Sequence, residues 1–233
     1  MSSGLSHIDL EDLSGSQQLG KDGKDGVTYM HSLKKKYVGE YDGQPFSVPR
    51  GRSIAVKTFK AKKSVAKILK EAELQSICAS AGISPQVYGV NVRDKYIAME
   101  MMVGLPAEDY RGGVMPDEQQ YMICALMGRL DSVGILHGDM NALNVMLCSK
   151  GRPYMIDFGF AKKITKATTR THGAHPNFTV SLWGLATGFK RYKVSVPIIN
   201  ECVSAAKSDS DLSSWVERGE SFLTASPSKK RKR

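Results

Sequence analysis

The chain has 233 residues, 41% of them apolar, and a formal net charge of +10. That length can bury a substantial core, no apolar run reaches the roughly 18 residues of a membrane span, and the polar start does not read as a secretory leader. Cys78, Cys124, Cys148 and Cys202 lack CxxC spacing and are expected as reduced core residues of an intracellular protein.

Residues 1 to 16 are rich in Ser and Gly and are expected to form a disordered N-terminal segment. Gly20-Lys21-Asp22-Gly23-Lys24-Asp25-Gly26 follows. Glycines there let backbone N–H groups approach a phosphate without side-chain obstruction. Asp22 and Asp25 would repel a polyphosphate unless turned outward, so a flexible surface turn is the competing reading. Gly15 to Asp22 misses a Walker A by one residue; Asp22 replaces the magnesium-binding hydroxyl, and that reading is set aside. Lys34-Lys35-Lys36 is expected to end a strand and open a long loop, Tyr37 to Gly51. Ser53 to Phe59 alternates like a strand. Within it Lys57 has apolar neighbours, and a point charge on a long stem suits a phosphate contact. Lys60, Lys62, Lys63, Lys67 and Lys70 are expected mostly on a solvated face.

Ser64 to Ala81 has Val65, Ile68, Leu69, Ala72, Ile77 and Cys78 at near-helical spacing, and it carries Glu71 and Glu73. Lys95 to Gly104 reads as a core strand. Pro116 to Val133 suits a helix with one broad apolar face, opened by Pro116-Asp117-Glu118. His137-Gly138-Asp139-Met140-Asn141-Ala142-Leu143-Asn144 comes next. The apolar runs Val145 to Leu147 and Tyr154 to Ile156 flank the turn formers Cys148 to Pro153, the pattern of a β-hairpin. A hairpin would bring Asn144 and Asp157 to one small volume. Phosphoryl transfer needs a carboxylate to orient a hydroxyl and two further groups to hold magnesium. Asp139 fits the first task, and Asn144 with Asp157 the second. His172 and His175 are spaced HxxH without a nearby Cys pair, which does not make a zinc site. Residues 223 to 233 end in Lys229-Lys230-Arg231-Lys232-Arg233 and are expected to form a basic disordered tail.

The loop His137 to Asn144, with Ile156-Asp157-Phe158-Gly159 behind it, resembles the protein-kinase-like superfamily, whose patterns are H-x-D-x-x-x-x-N and D-F-G. Gly138 stands where most protein kinases have Arg, which looks more like the small atypical members: the RIO kinases, the kinase of the KEOPS complex and the aminoglycoside-type phosphotransferases. The resemblance runs from about residue 18 to 190. It implies an α+β, two-lobed fold: a small antiparallel β-sheet N-lobe with hinge over 17–103, and a reduced, mostly helical C-lobe over 104–222. It implies ATP and Mg2+ as cofactors, Lys57 on the α- and β-phosphates as in V-A-I-K, and an acidic partner for Lys57. Glu71 fits that pattern better than Glu73, and the choice stays open. It further implies Met99 as gatekeeper, Glu100 to Met102 offering backbone to adenine, and Gly20, Gly23 and Gly26 over the phosphates.

Three departures concern the substrate more than the chemistry. Asn141 stands where protein Ser/Thr kinases place a phosphate-stabilising Lys. No A-P-E follows the stretch Phe160 to Pro176. Val180 to Leu185 resembles the helix that supports the catalytic loop, but Ser181 replaces its anchoring Asp. The implied reaction is transfer of the γ-phosphoryl of ATP to a protein Ser or Thr. The alternatives are a small-molecule phosphotransferase, for which little chain remains after Gly159, and a nucleotide-binding pseudokinase scaffold. Retention of Lys57, Asp139, Asn144 and Asp157 together argues against the scaffold. Expected partners are a protein substrate, a nuclear-import receptor on the basic tail and weak nucleic-acid contact. That tail predicts a nuclear and cytoplasmic distribution in a eukaryotic host.

Overall fold

The alternation in Ser53–Phe59 becomes the middle of a sheet. A computed structural model describes residues 8–41, 44–107, 113–148 and 151–225, and the chain divides into two units. One comprises residues up to Val103 with Asp157–Gly159; the other comprises Gly104–Ile156 and residues from Phe160 on. In the first, strands β1 (Leu13–Leu19), β2 (Gly26–Leu33), β3 (Tyr37–Tyr41), β4 (Gln44–Val48) and β5 (Ser53–Phe59) precede helix α1 (Val65–Ser80), and β6 (Val87–Asn91) and β7 (Tyr96–Glu100) follow it. Five of the strands form one antiparallel sheet in the order β1-β2-β5-β7-β6.

Both faces of that sheet are covered, which is why Ile54 to Val56 of β5 and Tyr96 to Met99 of β7 form unbroken buried runs. Ala55, Phe59, Ile97 and Met99 pack on one face against Ile68 and Ala72 of α1. Ile54, Val56, Tyr96 and Ala98 occupy the other face under Ile8, Leu13, Leu33 and Val48. The ordered start of the chain corrects the expectation of a disordered segment over 1–16. Ile8 is buried, Tyr96 Oη donates to the Ile8 carbonyl, and β1 pairs Leu13 with Leu33. Two aliphatic anchors in polar sequence carry no period, yet they cover the outer side of the sheet; residues 1–7 lie outside the described ones. The expected loop Tyr37 to Gly51 is also corrected, since β3 and β4 form a hairpin pairing Tyr37 with Val48. Phe46 stacks on Tyr88 with centroids 5.7 Å apart, and Tyr37 Oη donates to the Tyr88 carbonyl at 3.0 Å.

The second unit is mainly helical. It contains β8 (Gly104–Pro106), α2 (Asp117–Ser132), β9 (Ile135–Leu136), β10 (Val145–Cys148), β11 (Pro153–Met155), β12 (Lys162–Lys163), α3 (Lys166–His172), a π-helical turn Asn177–Leu182, α4 (Trp183–Arg191), α5 (Pro197–Lys207) and α6 (Ser213–Thr224). α2 is its axis. Ile123, Cys124, Ala125, Leu126, Met127 and Leu130 are fully buried, and Asp117 and Glu118 sit at the positive end of the helix dipole. α6 approaches closely because Gly219 has no side chain: a Cβ there would lie 2.1 Å from the Tyr121 carbonyl oxygen. Arg129 Nε donates to Glu220 Oε1 at 2.6 Å across the same contact. Leu223 is buried and α6 continues to Thr224, so the expected tail from 223 starts too early; residues 226–233 lie outside the described ones. Among the described residues no helix is long and apolar enough to cross a membrane, and no group of three or more His, Cys, Asp or Glu could hold a metal.

Candidate functional site

In the first unit, β5 presents Lys57 between Ile97 on β7 and Thr28 on β2. Its ammonium lies 2.6 Å from Glu71 Oε1 and 2.8 Å from Asp157 Oδ1. Glu71 therefore pairs with Lys57. α1 starts at Ser64, whose hydroxyl accepts from Lys67 N–H, and that phase turns Glu71 inward beside Ile68 and Ala72. Burial lowers the basicity of Lys57, but the Glu71 and Asp157 carboxylates outweigh it, and the net pKa lies above the ordinary lysine value. The lysine stays charged. Asp157 has φ of 63°, a left-handed conformation that costs a non-glycine residue energy, and its Oδ1 also accepts from Gly159 N–H at 3.2 Å.

Gly20 and Gly23 lie in the turn between β1 and β2, and Gly26 begins β2. Gly26 is required there, because a Cβ would come 2.2 Å from the Thr58 carbonyl oxygen. The expected solvated face fails at one lysine. Lys63 is buried, 2.6 Å from Asp25 Oδ2 and 3.4 Å from Glu71 Oε2. Met99 shares a face with Ala55, the face α1 covers. Glu100 pairs with Ile54 and turns its side chain to the opposite face, along a cavity of about 700 Å3 that Phe46, Arg52 and Tyr88 also line. Glu100 N–H donates to the Gln86 carbonyl at 2.8 Å, so it is already used. Met102 follows outside any strand.

In the second unit, the turn His137–Asn144 is fixed from both sides. Ile156 N–H donates to the Asn144 carbonyl at 2.9 Å, which closes the hairpin pairing Val145 with Met155. The expected hairpin is present, and it sets Asn144 beside the residue preceding Asp157. Asn144 Nδ2 donates to the Asp139 carbonyl at 2.7 Å and to Asp139 Oδ2 at 3.3 Å. These bonds use the amide nitrogen and leave Oδ1, a hard oxygen of the kind magnesium takes, outside them. Asn141 Nδ2 donates to Asp139 Oδ1 at 3.4 Å while its own Oδ1 accepts from Leu143 N–H at 2.8 Å. The Asp139 carboxylate is thus exposed but held by two amides. Gly138 has φ of 80°, and a Cβ there would lie 2.5 Å from the Phe160 carbonyl oxygen.

Sequence reasoning missed the residue that anchors this turn. Asn177 is fully buried; its Oδ1 accepts from His137 N–H at 3.3 Å and from Ser181 Oγ at 3.0 Å. Its Nδ2 donates to Asp131 Oδ1 at 2.6 Å and to the Ile135 carbonyl at 2.8 Å. The anchoring carboxylate expected at position 181 has been replaced by an amide one helical turn earlier, with Ser181 as its support. Burial raises the pKa of Asp131 to about 6, against the lowering effect of the hydrogen bonds from Asn177.

The two units therefore present a lysine held by two carboxylates and an exposed aspartate steadied by asparagine amides. A lysine ammonium so placed can bind phosphate, and such an aspartate can orient a hydroxyl. The model of the RIO domain matches residues 47–172, just over half of the chain. A probable bifunctional tRNA threonylcarbamoyladenosine biosynthesis protein of Methanobrevibacter smithii is 30% identical over 131 residues, 56% of this chain and 23% of its own length. The KEOPS complex subunit Bud32 of Pyrococcus abyssi is 30% identical over 99 residues, 40% of this chain and 44% of its own length. A probable bifunctional tRNA threonylcarbamoyladenosine biosynthesis protein of Methanosarcina barkeri is 34% identical over 92 residues, 39% of this chain and 16% of its own. The chain thus spans less than half the length of these curated relatives. On the strength of the domain match, the chain belongs to the RIO-domain family of atypical, protein-kinase-like proteins.

Proposed function

We propose that the chain is an ATP-dependent phosphotransferase that moves the γ-phosphoryl group to a protein Ser or Thr hydroxyl. The observation that carries this reading is Lys57 gripped by both Glu71 and Asp157, a charged lysine with carboxylates placed to orient it. Lys57 binds the α- and β-phosphates. Asp139 orients the acceptor hydroxyl and takes its proton, and its exposed carboxylate leaves room for a macromolecular acceptor. The resemblance assigns Mg2+ to Asn144 and Asp157, and the ion would neutralise the developing phosphate charge. Glu100 and Met102 close the adenine end, with Met102 better placed to offer its backbone.

A second reading is ATP hydrolysis within a protein complex, favoured by Asn141 in place of a phosphate-stabilising lysine. Two relatives are named for tRNA threonylcarbamoyladenosine biosynthesis and one for the KEOPS complex, so partner proteins fit that reading. Incubation with Mg2+ and γ-labelled ATP, with and without a generic protein acceptor, separates the two. Label on protein supports the kinase, and free phosphate alone supports hydrolysis. Asp139→Asn should cut either turnover by roughly 10²-fold or more while nucleotide binding stays nearly unchanged. Equal turnover by variant and parent would refute the role of Asp139.

A further inference from the structure

Two aspartates in the glycine-rich turn would repel a polyphosphate, yet both have found lysines. Asp22 Oδ1 lies 3.2 Å from Lys60 Nζ and Asp25 Oδ2 lies 2.6 Å from Lys63 Nζ. The tandem Gly-Lys-Asp units space their carboxylates three residues apart, and the two lysines share that spacing. The outer pair is exposed and worth little. The inner pair is not. The Lys63 side chain is only 6% exposed, and its ammonium sits over the Phe59 ring at 5.4 Å, the same ring and distance as the Lys57 ammonium.

The two lysines also share Glu71. Lys57 takes Oε1, while Oε2 faces Lys63 at 3.4 Å without a hydrogen-bond partner, although the carboxylate is 98% buried. Lys63 lies near Asp157 and Gly159 as well: a Cβ on Gly159 would lie 3.6 Å from its Nζ and 3.1 Å from Asp157 Oδ1. Two ammonium groups and three carboxylates (Asp25, Glu71, Asp157) therefore crowd one small volume. Of the three, only Asp25 belongs to the turn between β1 and β2, and the hydrogen bond from Lys63 holds its carboxyl below the ordinary range.

We infer that Lys63 is a second phosphate-binding lysine, and that Asp25 is its resident counter-ion, displaced when a nucleotide triphosphate arrives. The inference rests on the reading of the chain as an ATP-dependent phosphotransferase. A triphosphate brings several negative charges beside Lys57. Asp25 then becomes a like-charged neighbour of the ligand, while Lys63 can exchange one anion for another without losing its pairing. The displacement is a rotation of the Asp25 side chain, because the Asp25 carbonyl accepts from Lys60 N–H at 2.9 Å and stays in place.

The test is calorimetric titration of the full chain with Mg-ATP and with adenosine. Lys63→Met should weaken ATP binding roughly ten-fold or more, the worth of one charge-assisted contact, with adenosine within two-fold of the parent. Lys63→Arg should restore most of the ATP affinity. Asp25→Asn should act in the opposite direction and tighten ATP several-fold, because it removes the competitor. If Asp25 and Lys63 form only a structural staple, Asp25→Asn weakens ATP as Lys63→Met does, and the inference falls. Unchanged ATP affinity in Lys63→Met overturns it too. Should Lys63→Met fail to fold, the sign of the Asp25→Asn effect decides alone. A parent chain that binds no Mg-ATP refutes the phosphotransferase reading and takes the inference with it; a parent that binds while Asp25→Asn loses affinity refutes the inference only.

Discussion

Asn177→Ala is the most searching perturbation of the second unit. The alanine deletes four side-chain hydrogen bonds, to His137 N–H, Ser181 Oγ, Asp131 Oδ1 and the Ile135 carbonyl. Their loss is unequal. Ser181 Oγ can rotate, and Asp131 Oδ1 keeps the bond from Asn177 N–H at 3.1 Å. The Ile135 carbonyl and His137 N–H, both at buried residues, each lose a bond. At roughly 1–3 kcal/mol for each buried group so stranded, plus a small cavity, the loss should total about 3–5 kcal/mol. Urea unfolding followed by circular dichroism measures it. Because His137 opens the turn that carries Asp139, transfer should fall roughly ten-fold or more even below the unfolding transition. A stability loss under about 1 kcal/mol, with normal turnover, would show that the turn holds its shape without Asn177.

Asp131 gives a pH signature with a definite sign. Its folded pKa of about 6 lies above the ordinary 3.8, so the folded protein holds this proton more tightly and its stability contribution falls as pH rises through that window. The melting temperature of the parent relative to Asp131→Asn should therefore drop between about pH 4 and 6 and level off above, by an amount worth at most roughly 3 kcal/mol; His175 Nδ1, 3.7 Å from Asp131 Oδ2, works against it, and a flat difference would refute the assignment. Gly219→Ala places a Cβ 2.1 Å from the Tyr121 carbonyl and 2.7 Å from Ala125 Cβ, and should cost roughly 2 kcal/mol or more by thermal melting. Gly128→Ala meets only the Val216 side chain at 3.1 Å and should cost clearly less; equal costs would contradict the packing of α6 on α2.

Local pattern determined much of this protein. The strand around Lys57, the helices beginning near Ser64 and Pro116, and the hairpin after Asn144 were legible because each repeats every two or 3.6 residues, or is bounded by turn formers. The spacing of Asp139, Asn144 and Asp157 was legible because it matches the H-x-D-x-x-x-x-N and D-F-G patterns of the family. Tertiary structure decided the rest, where partners are far apart in sequence. Ile8 and Leu13 gain their role from Tyr96 and Leu33, so no window around them could reveal an ordered start. The hairpin of Tyr37–Val48 is held by Tyr88, a partner distant in sequence, and Gly39, Glu40 and Pro45 interrupt its apolar pattern. Asn177 took over the anchoring task by lying one turn away from the expected position and across from Asp131, a shift that a motif read by position misses. Lys63 looked like its solvated neighbours because nothing in its flanks distinguishes it. Only the meeting of the turn after β1 with the buried face of α1 surrounds that one lysine with Asp25 and Glu71 and removes it from water.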